Sequence, residues 1–239
     1  MLFVHGGNWN SGKKELYNLM GRHYARKGII AVIPGYNVSP TVNYDIMTSQ
    51  IAEAINWTHS HVAAYGGDTT ALFLSGHSAG GHLAALATMN PKYKVNQNKV
   101  SGIVLNDAAG LDMHHYLMDH PPTQSSHYLT TWGTDPEVWK AASPIYFIDE
   151  NNPAFMIYLG EKTYNSIKIA NKRFLKALHT TQPMVKPIVL DKMHIPMVLQ
   201  FFNPWSKRYK EIKAFMKDVS GSNNRYDLGN TKKQLNISK

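Results

Sequence analysis

The chain has 239 residues, 43% of them hydrophobic, with no cysteine and a formal net charge of +9. That length and apolar share are enough for one sizeable core. The missing cysteines exclude disulfides and thiolate metal centres while leaving the redox compartment open, and no window approaches the ~18 consecutive apolar residues of a membrane-spanning helix. Several of the positive charges sit on the last predicted helix and in a polar, asparagine-rich tail over 220–239, read as disordered. No basic stripe interleaved with aromatics accompanies them, so no nucleic-acid partner is predicted.

In chain order, Leu2-Phe3-Val4 reads as a short strand running into His5-Gly6-Gly7-Asn8-Trp9, where consecutive glycines let backbone N–H groups converge. The stretch from Gly7 to Lys13 matches the opening of a phosphate-binding G-x-x-x-x-G-K-[ST] loop. Lys14, however, stands where that loop needs a Mg²⁺-binding hydroxyl, so nucleotide binding is set aside. Gly28–Ile33 reads as the next strand, and Met47, Ile51, Ala54, Ile55, Thr58 and Val62 share one face of a helix. Ala71–Leu74 is an apolar strand run that leads into Gly76-His77-Ser78-Ala79-Gly80, and a helix over Gly81–Ala87 ends at Asn90-Pro91. A G-x-S-x-G sequence at a strand-to-helix turn exposes its serine hydroxyl above a sheet, which makes Ser78 a candidate nucleophile.

Val100–Leu105 reads as a further buried strand, followed by the least regular segment, 110–139. That segment is expected as a cap or lid-like insertion, with Leu117, Met118, Tyr128, Leu129 and Trp132 lining a substrate pocket. Its Asp112, His114, His115, Asp119, His120 and His127 lack the spacing that puts ligands on one helix face, so no metal is predicted. Ala154–Leu159 is a strand, Ile167, Ala170, Phe174, Ala177 and Leu178 form a helical stripe, and Lys186–Leu190 is the last core strand. A final helix carries the stripe Trp205, Tyr209, Ile212 and Met216. Strands alternating with helices predict an α/β domain over 1–219, its mainly parallel sheet covered on both faces.

The His5-Gly6-Gly7-Asn8-Trp9 loop, the Gly66-Gly67-Asp68 turn and Gly76-His77-Ser78-Ala79-Gly80-Gly81-His82 together resemble the α/β-hydrolase fold. Within it they are similar to the hormone-sensitive-lipase-like carboxylesterases and kynurenine formamidases. The resemblance implies an oxyanion hole from the N–H groups of Gly7, Asn8 and Ala79, and a base in the loop after the last strand, where His194 stands. It also implies an acid at the end of a G-x-x-D loop, but in Gly160-Glu161-Lys162-Thr163 a threonine takes that place. Glu161 is then the expected acid and Asp191 a weaker substitute, with a serine–histidine pair lacking any acid as the remaining possibility.

Family members have two further strands before the oxyanion loop, so the resemblance implies that these are lost here or lie in a longer precursor, along with any targeting segment. The compartment stays open, and Gly28–Ile33 is expected as a sheet edge that invites pairing into a homodimer. The expected activity is cofactor-free hydrolysis of small carboxylic esters by a Ser-His-acid acyl-enzyme mechanism. A kynurenine formamidase-like amide hydrolase, an acetyl or feruloyl carbohydrate esterase and a degenerate binding protein are the alternatives.

Overall fold

Period-two alternation gives the central sheet two buried faces. Leu2 and Val4 join one hydrophobic cluster with Leu74, Ile103, Leu105, Phe155 and Ile157, while Phe3, Phe73, Val104 and Tyr158 join the other. The structure is a computed structural model that describes the backbone of residues 1–235 and the side chains of residues 1–221. In chain order the elements are β1 (Leu2–Val4), α1 (Asn18–Ala25), α2 (Tyr44–His61), β2 (Phe73–His77), α3 (Ala79–Met89) and β3 (Gly102–Asn106). There follow α4 (Met113–Asp119), α5 (Tyr128–Trp132), α6 (Pro136–Ala141), β4 (Ala154–Gly160), α7 (Asn165–Leu178), β5 (Ile188–Leu190), α8 (His194–Leu199) and α9 (Lys207–Leu235).

Among the described residues the strands form one parallel sheet in the order β1-β2-β3-β4-β5. Parallel neighbours need crossover connections, and the helices supply them while covering both faces. Met47, Ile51 and Ile55 of α2, the alanine-rich α3 and Phe174 of α7 pack on the first face. Met20 and Tyr24 of α1, Met197 of α8, and Tyr209 and Ile212 of α9 pack on the second. This is the α/β architecture expected from the sequence, and no described helix is long and apolar enough to cross a membrane.

Three expectations change in detail. Gly28–Ile33 lies beside β1 but pairs as a single parallel bridge, with the Phe3 N–H donating to the Val32 carbonyl at 2.8 Å and the Val32 N–H to the Met1 carbonyl at 2.9 Å. Trp205 is not part of the last helical stripe. It precedes α9 and is 87% exposed, whereas Tyr209 and Ile212 are buried as expected. The segment expected as a disordered tail from 220 continues α9 to Leu235, a stretch that contains no proline to stop a helix, and residues 236–239 lie outside the described residues.

One buried histidine ties the core together. The Trp9 indole N–H donates to His82 Nδ1 at 3.1 Å, and His82 Nε2–H donates to the Ala142 carbonyl at 2.7 Å. This pairing fixes a neutral tautomer and links the loop after β1, helix α3 and the end of α6. Burial pushes the imidazole down to about 4. Between about pH 6.5 and about pH 4 the unfolded chain therefore binds a proton at this residue that the folded chain refuses. Stability is full above that window and falls as the pH drops through it, by roughly 3 kcal/mol at most. Urea midpoints at about pH 7 and about pH 5 should differ less in His82→Gln than in the unaltered protein, and an equal difference in the two proteins would contradict the assignment.

Candidate active site

The turn between β2 and α3 positions Ser78. Its backbone sits at φ 54°, ψ −125°, a strained conformation costing about 1–3 kcal/mol that the surrounding packing must hold. Two glycines make the turn sterically possible. A Cβ at Gly76 would lie 2.4 Å from the Gly80 carbonyl carbon, and one at Gly80 would lie 2.1 Å from the Val4 carbonyl oxygen. The strand, the helix and the neighbouring β1 thus meet with no room for side chains, leaving the serine at the carboxyl end of the sheet.

Three side chains form one relay there. Ser78 Oγ lies 2.9 Å from His194 Nε2, and His194 Nδ1 lies 2.6 Å from Asp107 Oδ2. With Nδ1–H donating to the carboxylate, Nε2 is free to accept from the serine hydroxyl. Asp107 is fully buried, and its other oxygen accepts from the Gly160 N–H at 2.8 Å. The Thr163 hydroxyl donates to Oδ2 at 2.5 Å. His194 is held as firmly as its partners. The His77 Nε2–H donates to the His194 carbonyl at 3.1 Å, and the Asn106 amide donates to the Met197 carbonyl at 3.0 Å. Burial, with the His194 ring beside it, pushes His77 down to about 4, so it is neutral and acts as a brace.

Neither Glu161 nor Asp191, the carboxylates expected at His194, reaches its ring. Glu161 is exposed, and its backbone N–H is tied to the Leu190 carbonyl at 2.8 Å. Asp191 is exposed and pairs with Lys162 at 2.6 Å. The carboxylate at His194 comes instead from Asp107, the residue after β3. Strand register explains it: His77 pairs with Asn106, so the next positions along these neighbours are Ser78 and Asp107. A carboxylate directly after an apolar strand run, at the carboxyl edge of a parallel sheet, is the signal that could have found it.

Ser78 and His194 line a cleft of about 760 Å³ together with Gly6, Gly7, Asn8 and Ser11. Gly7 and Asn8 have positive φ values of 136° and 51°. Ala79 opens α3, where first-turn N–H groups have no carbonyl four residues back to accept them. The apolar part of its lining carries Leu16, Tyr17, Val198, Leu199 and Phe202.

The insertion residues expected there lie elsewhere. Leu117 and Trp132 are buried in the core, Met118 is exposed, and neither Tyr128 nor Leu129 lines the cleft. The reason is Trp9, whose indole packs 4.9 Å from the Trp132 ring and 6.2 Å from Tyr128, while the Tyr128 hydroxyl donates to Asn8 Oδ1 at 2.8 Å. The segment braces the glycine loop from behind. Of its acidic and histidine residues, Asp112 pairs with Arg173 at 2.6 Å and His114 Nδ1 lies 3.2 Å from the Tyr146 hydroxyl, and no group of three or more metal-binding side chains occurs among the described residues.

This geometry predicts that Asp107→Asn lowers kcat/KM for ester cleavage by about 10³–10⁴-fold, because an amide favours the wrong imidazole tautomer. Glu161→Gln should stay within about threefold, as surface changes away from the chemistry do. The reverse ranking in a p-nitrophenyl ester assay would restore Glu161 as the acid.

Comparison with known proteins agrees with the fold and the motifs. The BD-FAE family profile matches residues 1–177. Esterase LipQ of Mycobacterium tuberculosis is 30% identical over 176 residues, covering 68% of this chain and 41% of LipQ. A kynurenine formamidase of Salmo salar is 35% identical over 89 residues, 36% of this chain and 28% of that protein. The chain spans about two-fifths of the length of LipQ and of LipC from the same organism. Among solved structures, esterase B of Lactobacillus rhamnosis superposes with a TM-score of 0.75 at 18% identity, over 95% of this chain and 78% of that one. Esterase 2 of Thermogutta terrifontis gives 0.74 at 23% identity, over 91% of this chain and 83% of its own. With its glycine loop, serine turn and parallel sheet, the chain belongs to the BD-FAE family and has the α/β-hydrolase fold.

Proposed function

We propose that the chain is a serine hydrolase that cleaves small carboxylic esters through a covalent acyl-enzyme. The observation that carries this reading is the continuous relay from Ser78 Oγ through His194 to the buried Asp107 carboxylate, at 2.9 and 2.6 Å. In the acylation step Ser78 Oγ attacks the ester carbonyl carbon while His194 Nε2 takes the hydroxyl proton. The carbonyl oxygen becomes an oxyanion, which the N–H groups of Gly7, Asn8 and Ala79 receive. Collapse of the tetrahedral species breaks the bond to the alcohol oxygen, and His194 returns its proton to that leaving group. Water, deprotonated by the same Nε2, then hydrolyses the acyl-enzyme and regenerates Ser78.

Asp107 gives the imidazolium formed in both steps a charge partner that cannot move away. Three donors hold its carboxylate, and solvent does not reach it. The apolar wall of Leu16, Tyr17, Val198, Leu199 and Phe202 offers room for the hydrocarbon part of an acyl or alcohol group beside the serine. These residue roles need no cofactor.

A fluorophosphonate probe should label the protein stoichiometrically at Ser78, and Ser78→Ala should lose both labelling and at least about 10⁴-fold of the esterase rate. A folded protein that resists the probe and leaves p-nitrophenyl acetate untouched would favour a binding role instead. Cleavage of N-formylkynurenine at a kcat/KM above that for simple esters would move the reading to amide hydrolysis.

A further inference from the structure

Asp107 and Thr163 come from the ends of neighbouring strands, β3 and β4, yet their side chains meet at one ring nitrogen. Thr163 Oγ1 lies 3.4 Å from His194 Nδ1 and 2.5 Å from Asp107 Oδ2, and all three residues are buried. A threonine hydroxyl has a single proton to donate, and the short bond directs it to the carboxylate. Thr163 therefore acts on His194 through Asp107. Together with the Gly160 N–H on Oδ1, the hydroxyl fixes the carboxylate plane so that Oδ2 faces the imidazole.

We infer that this site holds two seats for one acid: Asp107 occupies the first, and Thr163, in the second, is the positioning residue that orients it. The inference rests on the serine-hydrolase reading above. Sheet register makes the seats adjacent, since Asn106 pairs with Tyr158 and both chains turn toward His194 just beyond. A carboxylate oxygen on an aspartate side chain stands one bond farther from the backbone than a threonine hydroxyl. That extra reach brings the 3.4 Å separation from Nδ1 into ordinary hydrogen-bond range. An amide at 107 would keep an oxygen for the Gly160 N–H and gain an NH₂ group to donate to a carboxylate at 163, so the network would be rebuilt with its polarity exchanged.

The test is an acid swap, read as kcat and KM for a p-nitrophenyl ester, with fluorophosphonate labelling of the unaltered protein alongside. Asp107→Asn should lose about 10³–10⁴-fold in kcat, and combining it with Thr163→Asp should regain at least about tenfold of that loss, a coupling expected of residues sharing one network. Thr163→Val should lower kcat by about tenfold with KM little changed, while Thr163→Ser, which keeps the hydroxyl, should stay within about threefold of the unaltered enzyme. An effect of mere packing would not follow the hydroxyl in this way. Absence of any gain in the double variant, with a melting temperature close to that of Asp107→Asn, overturns the inference. So does a Thr163→Val enzyme with undiminished kcat, whatever the double variant does. Failure of the unaltered protein to take up the probe overturns the serine-hydrolase reading instead, which keeps the two failures apart.

Discussion

A buried carboxylate must be paired and hydrogen-bonded or it will not stay charged, and the active end of this sheet is arranged around that requirement at Asp107. Its oxygens accept from a backbone N–H and a hydroxyl of the turn that ends β4 and from an imidazole N–H at the start of α8. Gly160 ends β4, Thr163 lies in the loop beyond it, and His194 opens α8 after β5. Satisfying one charge therefore fixes the relative positions of the turns after β3, β4 and β5, and the His194 imidazole faces Ser78 as a result.

The serine side is set by a different constraint, which is space. Ser78 holds a positive φ because β1, β2 and α3 approach too closely for side chains at Gly76 and Gly80. The histidines around the site divide by environment. His77 and His82 are buried without a charge partner and are pushed down to about 4, where they serve as neutral struts between the carbonyls and the indole they bond. His194 alone meets both a carboxylate and a hydroxyl. Identical side chains thus take up structural and chemical roles according to what faces their two ring nitrogens.

Much of this was legible in the residue order because it is local. Period-two and helical patterns mark the strands and helices, and G-x-S-x-G between a strand and a helix marks Ser78, the proposed nucleophile. The position after the last strand marks His194. Asp107 was legible only as a carboxylate directly after an apolar strand run, a weaker signal than a motif. Its role emerges only when parallel register lays Asp107 beside Ser78 and the β4 loop turns Thr163 rather than Glu161 inward. The pocket wall failed for a related reason. Trp132 and Tyr128 look like lid residues in one dimension, but the Trp9 indole draws them behind the glycine loop, and helix α8 supplies the wall with Val198 and Leu199.

Asp107 is the carboxylate bonded to His194 Nδ1. Proton NMR of ¹⁵N-histidine-labelled protein observes that bond directly. A far-downfield Nδ1–H resonance from His194 should persist in Glu161→Gln and disappear in Asp107→Asn. A resonance that survives Asp107→Asn unshifted, or vanishes in Glu161→Gln, would contradict it.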